Sequence, residues 1–203
     1  MNSLSIAFTT VLSGREQEMQ TESFYLSTPI GQIQVFCHQN KITELDLGID
    51  DEKSFPPHLK TTEKSMSSFA SRVKRQLLEY FSNALVGFDA DIQVKGTPFQ
   101  RSVWDVISSV KVGETLTYSD VARQLDSSPR AVGNACRANP VPIIVPCHRI
   151  VSKSGIGGFA GEREGNNINI KYWLLEHEKS CQVKQGRAGS DIRPAQTPAM
   201  SLR

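Results

Sequence analysis

The stretch Asn139-Pro140-Val141-Pro142-Ile143-Ile144-Val145-Pro146-Cys147-His148-Arg149-Ile150 places a thiol and an imidazole directly after three prolines and four aliphatic residues. Proline fixes its own φ and disfavours a helical conformation in the residue before it. We therefore expect the approach to Cys147 to be extended and stiff. Because its aliphatic side chains offer little polar surface, we also expect this approach to be buried.

Two interpretations compete for Cys147. A lone cysteine in an apolar run is commonly a small buried hydrophobe. The alternative is a nucleophile, which needs a nearby base because apolar surroundings raise the pKa of a thiol. His148 is the nearest base, but adjacent residues of a regular element point in different directions. We therefore expect Cys147 and His148 to communicate through a bend or a bridging water.

The composition is that of an ordinary soluble protein with one or two domains: 203 residues, 38% hydrophobic and 22% charged. No apolar run is long enough to span a membrane, and the short run near the N-terminus lacks the preceding basic residues of a signal peptide. Four cysteines without paired spacing favour a reducing compartment, so we predict a cytoplasmic protein, or a nuclear one in a eukaryote. Cys37-His38 lacks a second ligand pair, so no metal site is expected.

The charges are unevenly distributed along the chain. Residues 1–94 carry 8 basic and 12 acidic side chains, residues 95–179 carry 11 and 8, and residues 180–203 carry 4 and 1. The basic balance therefore lies in the half that contains Cys147, as a domain facing phosphates would require. Excesses of this size are common, so they do not identify a partner by themselves.

The first half of the chain predicts a small α/β domain over residues 23–95, preceded by a flexible arm over 1–22. Residues 30–36 and 42–47 alternate between apolar and polar, and Gln39-Asn40-Lys41 between them predicts a hairpin turn. Residues 48–64 are interpreted as a loop. Apolar residues then recur at helical spacing from Met66 to Phe81, and residues 88–94 return to the period of an extended segment.

The second half predicts a mainly helical domain over residues 96–179, so that the fold class is α+β. Thr97, Pro98 and Gln100 form the signature of a capping box with proline in the first helical position. We assign Trp104 in the helix that follows to the core rather than to base stacking. A second helix from Thr117 and a third from Ser128-Pro129 predict a helix-turn-helix.

Gly133 lies in the middle of the third helix, where glycine costs stability relative to alanine. Close approach of another backbone, from protein or DNA, would explain it, and so would packing against another helix. Residues 152–161 contain four glycines and predict a loop whose backbone can approach a ligand. We interpret residues 162–169 as a further loop, 171–178 as a short final helix and 180–203 as a disordered tail.

Pro146-Cys147-His148-Arg149, preceded by Asn139-Pro140 and by Arg130-Ala131-Val132-Gly133, resembles the active-site signature of the O6-alkylguanine-DNA alkyltransferases. The resemblance is close over 97–179 and holds in outline over 23–95. It implies DNA repair by direct reversal, in which a helix-turn-helix binds the minor groove, the damaged base is flipped out and its alkyl group passes irreversibly to cysteine. It further implies double-stranded DNA carrying O6-alkylguanine or O4-alkylthymine as the partner, no cofactor, and a monomer without an obligate protein partner.

The resemblance assigns five residues to the chemistry. Cys147 would be the nucleophile and alkyl acceptor, His148 the base acting through a water, and Glu178 the residue that orients His148. Asn139 would brace the turn before the active site, and Tyr118 would donate to guanine N3 as the base leaves. Without the resemblance, Glu178 is interpreted as a solvated acid near a helix end.

The resemblance also assigns residues to the DNA and the base. Arg130 would fill the gap left by the flipped base; otherwise it is a surface charge of unfavourable sign near a helix start. Ala131, Gly133, Ala135 and Ala138 would give the helix a slim face for the minor groove. Pro142 and Phe159 would wall the alkyl pocket, and the backbone near Ile150 and Ala160 would meet the base. The remaining implied positions are Arg137, Gly158 and Lys171, the last supporting the site.

Residues 162–167 make the connection to the last helix longer than expected for that family, which would affect the alkyl groups accepted. The alternative function is a lesion-sensing DNA-binding protein that transfers nothing, but such relatives lack the acceptor cysteine. A DNA-binding regulator is a third possibility, although a fused regulatory domain would normally bring cysteine ligands for a metal.

Overall fold

The computed structural model describes residues 21–49, 66–162 and 164–190. It begins with a three-stranded antiparallel sheet in the order β1 (Thr21–Thr28), β2 (Gly31–His38) and β3 (Lys41–Ile49). Gln39 and Asn40 have φ values of 51° and 56°, as a two-residue hairpin turn requires. The predicted hairpin is therefore confirmed. The predicted arm and the loop over 48–64 lie outside the described residues, except for residues 21 and 22 in β1 and residues 48 and 49 in β3.

Helix α1 (Ser68–Ser82) covers one face of this sheet, and Ser67 caps it by accepting from the Ala70 amide. Its buried stripe contains Phe69, Val73, Leu77 and Tyr80 and joins the aliphatic core of the sheet. Burying one large apolar side chain contributes about 1.5–3 kcal/mol, so this stripe stabilises the packing of α1 on the sheet. The helix predicted from the three-and-four spacing is confirmed.

The backbone of β3 also pairs with two later segments of the chain. Residues 91–93 run beside β3, where the Ile42 amide donates to Asp91 O at 2.9 Å and the Gln93 amide donates to Ile42 O at 2.8 Å. Further along β3, the Leu45 amide donates to Pro140 O at 2.8 Å. The backbone of β3 is therefore hydrogen-bonded directly to the segment that leads to Cys147.

Three further helices lie between α1 and Cys147: α2 (Pro98–Ser109), α3 (Tyr118–Gln124) and α4 (Pro129–Arg137). Both hydrogen bonds of the predicted capping box at Thr97 are present. Trp104 is buried, and its Nε1 donates to Ala135 O of α4 at 2.9 Å, so its assignment to the core is confirmed. The short turn between α3 and α4 completes a helix-turn-helix, and the α+β class is confirmed.

The segment before Cys147 is buried as predicted, but the prediction that it is extended is wrong. Ile143 has a φ of +74°, and the Val145 amide donates back to Val141 O at 2.9 Å, which closes a turn. The side chain of Asn139 explains this turn. Its Oδ1 accepts from the Val141 amide at 3.1 Å, while its Nδ2 donates to Val145 O at 2.8 Å. One amide therefore holds both ends of the turn and offsets the strain of a β-branched residue at positive φ.

The strand pair β4 (Leu116–Thr117) and β5 (Ile150–Val151) flanks the site, and the final helix α5 spans Asn166–Ser190. This helix is longer than predicted at both ends, so the predictions of a loop over residues 166–169 and of a disordered tail over residues 180–190 are wrong. Residues 191–203 of the predicted tail lie outside the described residues. Buried Ile168 and Ile170 hold its start, and buried Cys181 holds its extension. The added turns of α5 are therefore stabilised by tertiary packing, although the sequence there lacks a regular spacing of apolar residues. Among the described residues, no helix has the length and apolarity needed to cross a membrane.

Candidate active site and nucleic-acid interface

Cys147 opens a single 3₁₀ turn (Cys147–Arg149) that follows Pro146. Its side chain is buried, and its Sγ accepts from Asn139 Nδ2 at 3.2 Å. Burial raises the pKa of the Cys147 thiol, while the Asn139 hydrogen bond and the nearby Lys171 charge oppose that rise. The thiol is therefore neutral at rest and needs a base in order to react as a thiolate.

His148 is fully buried, and its Nε2 lies 2.8 Å from Glu178 Oε1. Because an ionised carboxylate only accepts hydrogen bonds, the ring proton resides on Nε2 and leaves Nδ1 as an acceptor. Nδ1 is buried and has no hydrogen-bond partner among the described residues. Burial lowers the pKa of His148, and the Glu178 carboxylate opposes that change. The 3₁₀ turn supplies the expected bend between Cys147 and His148; the bridging water stays a prediction.

Glu178 lies at the centre of a buried hydrogen-bond network. Its Oε1 accepts from Tyr80 Oη at 2.8 Å, His148 Nε2 at 2.8 Å and Arg149 Nη2 at 2.9 Å. Its Oε2 accepts from Arg149 Nε at 2.9 Å and the Gly113 amide at 3.1 Å. Burial alone would raise the pKa of Glu178, but the bonds from His148 and Arg149 outweigh it and hold the pKa well below its usual range.

The interpretation of Glu178 as a solvated acid, made without the resemblance, is wrong because its side chain has no exposed surface. Sequence reasoning also missed Tyr80 and Arg149. Arg149 had one available signal, since it is a charged residue beside an apolar run that the fold must bury. Tyr80 had none, because it contacts Glu178 across 98 residues of sequence.

Lys171 is a further buried charge and lies on α5. Its Nζ donates to Ile150 O at 2.6 Å and to Gly158 O at 2.9 Å. Tyr118 Oη donates to the same Gly158 carbonyl at 3.1 Å, so two side chains hold the glycine-rich loop. Burial lowers the pKa of Lys171 to about 8, although the Cys147 and Cys136 thiols oppose that change. Burial, reinforced by those two thiols, raises the pKa of Tyr118, which stays a donor at neutral pH.

A groove of about 890 Å³ opens between the helix-turn-helix and the glycine-rich loop, and Cys147 lies in its wall. Three cationic side chains and one carboxylate line it among the described residues: Arg130, Arg137, Lys153 and Glu162. It brings together eight of the residues singled out in the sequence: Tyr118, Arg130, Gly133, Arg137, Cys147, Gly158, Phe159 and Ala160. Such a surface suits a polyanion that must reach the thiol.

The other predicted residues lie around this groove. Asn139 and Pro142 line a second cavity, of about 640 Å³, on the side of the sheet, and Cys147 and Phe159 border it as well. Ile150 is buried and its carbonyl is bound to Lys171. Ala131 lies in the first turn of α4, where its amide donates to the capping hydroxyl of Ser128 at 3.2 Å. Ala135 of the same helix is buried, so the prediction that it contributes to the slim face is wrong. His148, Glu178 and Lys171 form the buried side of the site.

The glycines of the groove differ in what surrounds them. A Cβ at Gly133 would meet nothing nearer than the Tyr118 ring at 3.9 Å among the described residues, so helix packing does not require glycine there. At Gly161, which has a φ of +88°, a Cβ would lie 2.6 Å from Arg137 Nε. Gly161 is therefore required by the fold, whereas Gly133 keeps open space on the face of α4 that borders the groove.

Two family models match the chain. The ribonuclease-like domain of 6-O-methylguanine DNA methyltransferase matches residues 22–94, and the DNA binding domain of 6-O-methylguanine DNA methyltransferase matches residues 98–180. The constitutive methylated-DNA–protein-cysteine methyltransferase of Bacillus subtilis is 35% identical over 155 residues, which are 75% of this chain and 92% of that protein.

Solved structures are similar over both halves of the chain. The crystal structure of the Mycobacterium tuberculosis O6-methylguanine methyltransferase superposes with a TM-score of 0.65 at 33% identity, covering 79% of this chain and 94% of that one. The structure of the Mycobacterium tuberculosis protein OGT in complex with DNA gives a TM-score of 0.64 at 33% identity, with the same coverage.

Proposed function

Because the chain belongs to the 6-O-methylguanine DNA methyltransferase family, we propose that it repairs DNA by moving the alkyl group of O6-alkylguanine, and of O4-alkylthymine, onto Cys147. One observation carries the proposal. A buried thiol stands in the wall of a cationic groove, next to a neutral imidazole that is anchored on a buried carboxylate. That arrangement is a nucleophile with a base and an orienting acid.

The reaction balances within this site. A water relays the Cys147 proton to His148 Nδ1, and the imidazolium that forms is stabilised by Glu178 at 2.8 Å. The thiolate attacks the alkyl carbon, so that a carbon–sulfur bond forms as the carbon–O6 bond breaks. Negative charge develops on the departing base, and Tyr118 Oη, which donates to Gly158 O in the free protein, turns to donate to N3 of that base. The base then takes up a proton through water as the imidazolium of His148 gives up its own. The thioether product is stable, so each molecule acts once and no cofactor takes part.

The groove supports recognition of double-stranded DNA. A base inside a duplex is out of reach of Cys147, so it must be extruded. Helix α4 offers a slim face at Ala131 and Gly133 for the minor groove, and Arg130 lies exposed near its start to take the place of the extruded base. Pro142 and Phe159 line the same cavity as Cys147 and are suited to enclose the alkyl group.

Intact-mass analysis tests the proposal, using a DNA duplex that contains one O6-methylguanine. We expect a gain of one methyl group, mapped to the peptide containing Cys147 and ending after one equivalent. Cys147→Ala should abolish transfer and preserve DNA binding, because the Asn139 amide still donates to Val145 O. Cys37→Ala, which alters a buried thiol in the sheet, is the matched control and should transfer normally.

The other outcomes separate the alternatives. Tight, lesion-selective binding without a gain in mass would favour a lesion sensor over a transferase. Absence of binding to any duplex would overturn the proposed function altogether. Loss of both binding and transfer in Cys147→Ala would give that cysteine a structural role.

A further inference from the structure

Tyr80 lies on α1 of the N-terminal half, yet its hydroxyl reaches the buried carboxylate of Glu178. The ring is 1% exposed and is held among the rings of Phe81, Phe88 and His177, whose centroids lie 5.5, 5.6 and 5.7 Å away. Tyr80 O also lies 2.8 Å from His177 Nε2. The orientation of the phenol is therefore fixed by packing on several sides.

The Tyr80 hydroxyl shares its acceptor with His148. Both donate to Oε1 of Glu178 at 2.8 Å, and Arg149 Nη2 donates to the same oxygen at 2.9 Å. A carboxylate offers about four acceptor positions, and five donors surround this one, so each donor weakens the bonds made by the others. Burial and the Glu178 charge raise the pKa of Tyr80, which keeps its proton on the phenol.

We propose that Tyr80 is a positioning residue that sets the proton affinity of His148 through the carboxylate oxygen they share. By drawing charge from Oε1, the phenol limits how strongly Glu178 stabilises the imidazolium form of His148. The N-terminal half would thereby tune a proton transfer to which it contributes no reacting atom. Only the kinetic consequence rests on the proposed function; the effect on proton affinity is independent of it.

The direction of the effect follows from the surrounding charges. Without the Tyr80 hydroxyl, Oε1 keeps more negative charge and the imidazolium is stabilised, so the pKa of His148 rises. Arg149 on the same turn and Lys171 on α5 both oppose protonation of His148, and neither changes in the variant. Cys181 on α5 also faces Tyr80 and is likewise unchanged. Since transfer requires neutral His148, its loss at acid pH should move to higher pH.

Tyr80→Phe tests this inference, with Phe88→Leu as the matched control that trims the packing around Tyr80 and leaves its hydroxyl intact. Single-turnover transfer is measured from about pH 5 to about pH 8.5, where histidine titrates. We expect the rate of Tyr80→Phe to fall about threefold to tenfold at the acid end and little at the alkaline end. Phe88→Leu should show no pH-dependent deficit.

A second readout does not require transfer. Nuclear magnetic resonance of ¹⁵N-labelled histidine gives the titration midpoint of His148, which should rise in Tyr80→Phe and stay unchanged in Phe88→Leu. Should Tyr80→Phe fail to fold, 3-fluorotyrosine at position 80 replaces it. This stronger donor should lower the midpoint.

An unchanged His148 midpoint, or a rate deficit equal at all pH values, would overturn the role of Tyr80. A shifted midpoint in a protein that transfers no alkyl group would instead support that role and refute the proposed function.

Discussion

The two sides of Cys147 are built in opposite ways. On one side, His148, Arg149 and Glu178 are buried and joined by hydrogen bonds of 2.8–2.9 Å. On the other, the groove has exposed cations and a helix glycine with open space beside it. The buried side holds the His148 ring in one orientation, whereas the open side leaves room for a large partner such as DNA. Cys147 therefore lies between a rigid, hydrogen-bonded cluster and a groove that is open to a partner.

This difference predicts that variants on the buried side affect stability and every substrate, whereas variants on the open side affect only duplex DNA. Glu178→Gln is the strongest test. It leaves Arg149 without its carboxylate, so we expect the free energy of unfolding to fall by about 3–5 kcal/mol. Transfer from duplex DNA and from free O6-benzylguanine should fall together, since both need His148. Urea unfolding and single-turnover rates measure the two effects, with exposed Glu176→Gln as the control.

The same variant should change the dependence of stability on pH. The native pKa of Glu178 is lowered, so the unfolded chain binds the proton more readily. The stability that the Glu178 carboxylate contributes is complete above its pKa in the unfolded chain, about 4.3. That stability is lost as the pH falls through the pKa of Glu178 in the native protein. Glu178→Gln should therefore lose less stability on acidification than the wild type. Parallel curves of stability against pH would contradict this account.

On the open side, Arg130→Ala should slow repair of duplex DNA more than reaction with free O6-benzylguanine. A side chain that stacks on a base contributes about 1–3 kcal/mol to binding. If Arg130 takes the place of the extruded base, its loss should lower the rate on duplex DNA about tenfold or more. Stability should stay near that of the wild type because Arg130 is exposed. Arg101→Ala, an exposed arginine of α2 that does not line the groove, serves as control. Equal losses of rate on both substrates would contradict the proposal that Arg130 fills the gap left by the extruded base.

Gly133→Ala is expected to have the smallest effect, with opposite signs for stability and binding. Alanine in a helix interior is favoured over glycine by about 0.8–1 kcal/mol, and its Cβ meets Tyr118 no closer than 3.9 Å. The variant should therefore be more stable and yet bind duplex DNA less tightly. Thermal unfolding and duplex titration test it against Gly87→Ala, where an added Cβ meets nothing within 4 Å. Unchanged binding would show that the open space is not used by DNA.

Elements whose signals lie within one turn of the chain were predictable from sequence. The capping box at Thr97 and Gln100, the hairpin at Gln39-Asn40 and the stripe of α1 all depend on residues a few positions apart. The motif around Cys147 carried the resemblance to the family, which is confirmed, while the role of Cys147 as nucleophile stays a prediction.

Features that depend on distant partners were not predictable. The turn at Ile143 exists because the side chain of Asn139 hydrogen-bonds on both sides of it. The extension of α5 depends on buried Cys181 and on Gln182 Nε2, which donates to Val112 O. The hydrogen-bond donors to Glu178 come from α1, from the 3₁₀ turn and from Gly113. The local sequence pattern around each of these residues does not predict that they come together.

The hydrogen bond between Tyr80 and Glu178 joins residues 98 positions apart, and it bears on how the protein is made. Domains assemble from the N-terminus as the ribosome delivers the chain. The sheet, α1 and the thiol all emerge before the carboxylate on α5. A nascent chain thus holds its cysteine for some time without the acid that organises His148 and Arg149. A message cut short before residue 178 would yield a chain that contains the thiol and lacks the carboxylate that hydrogen-bonds His148 and Arg149.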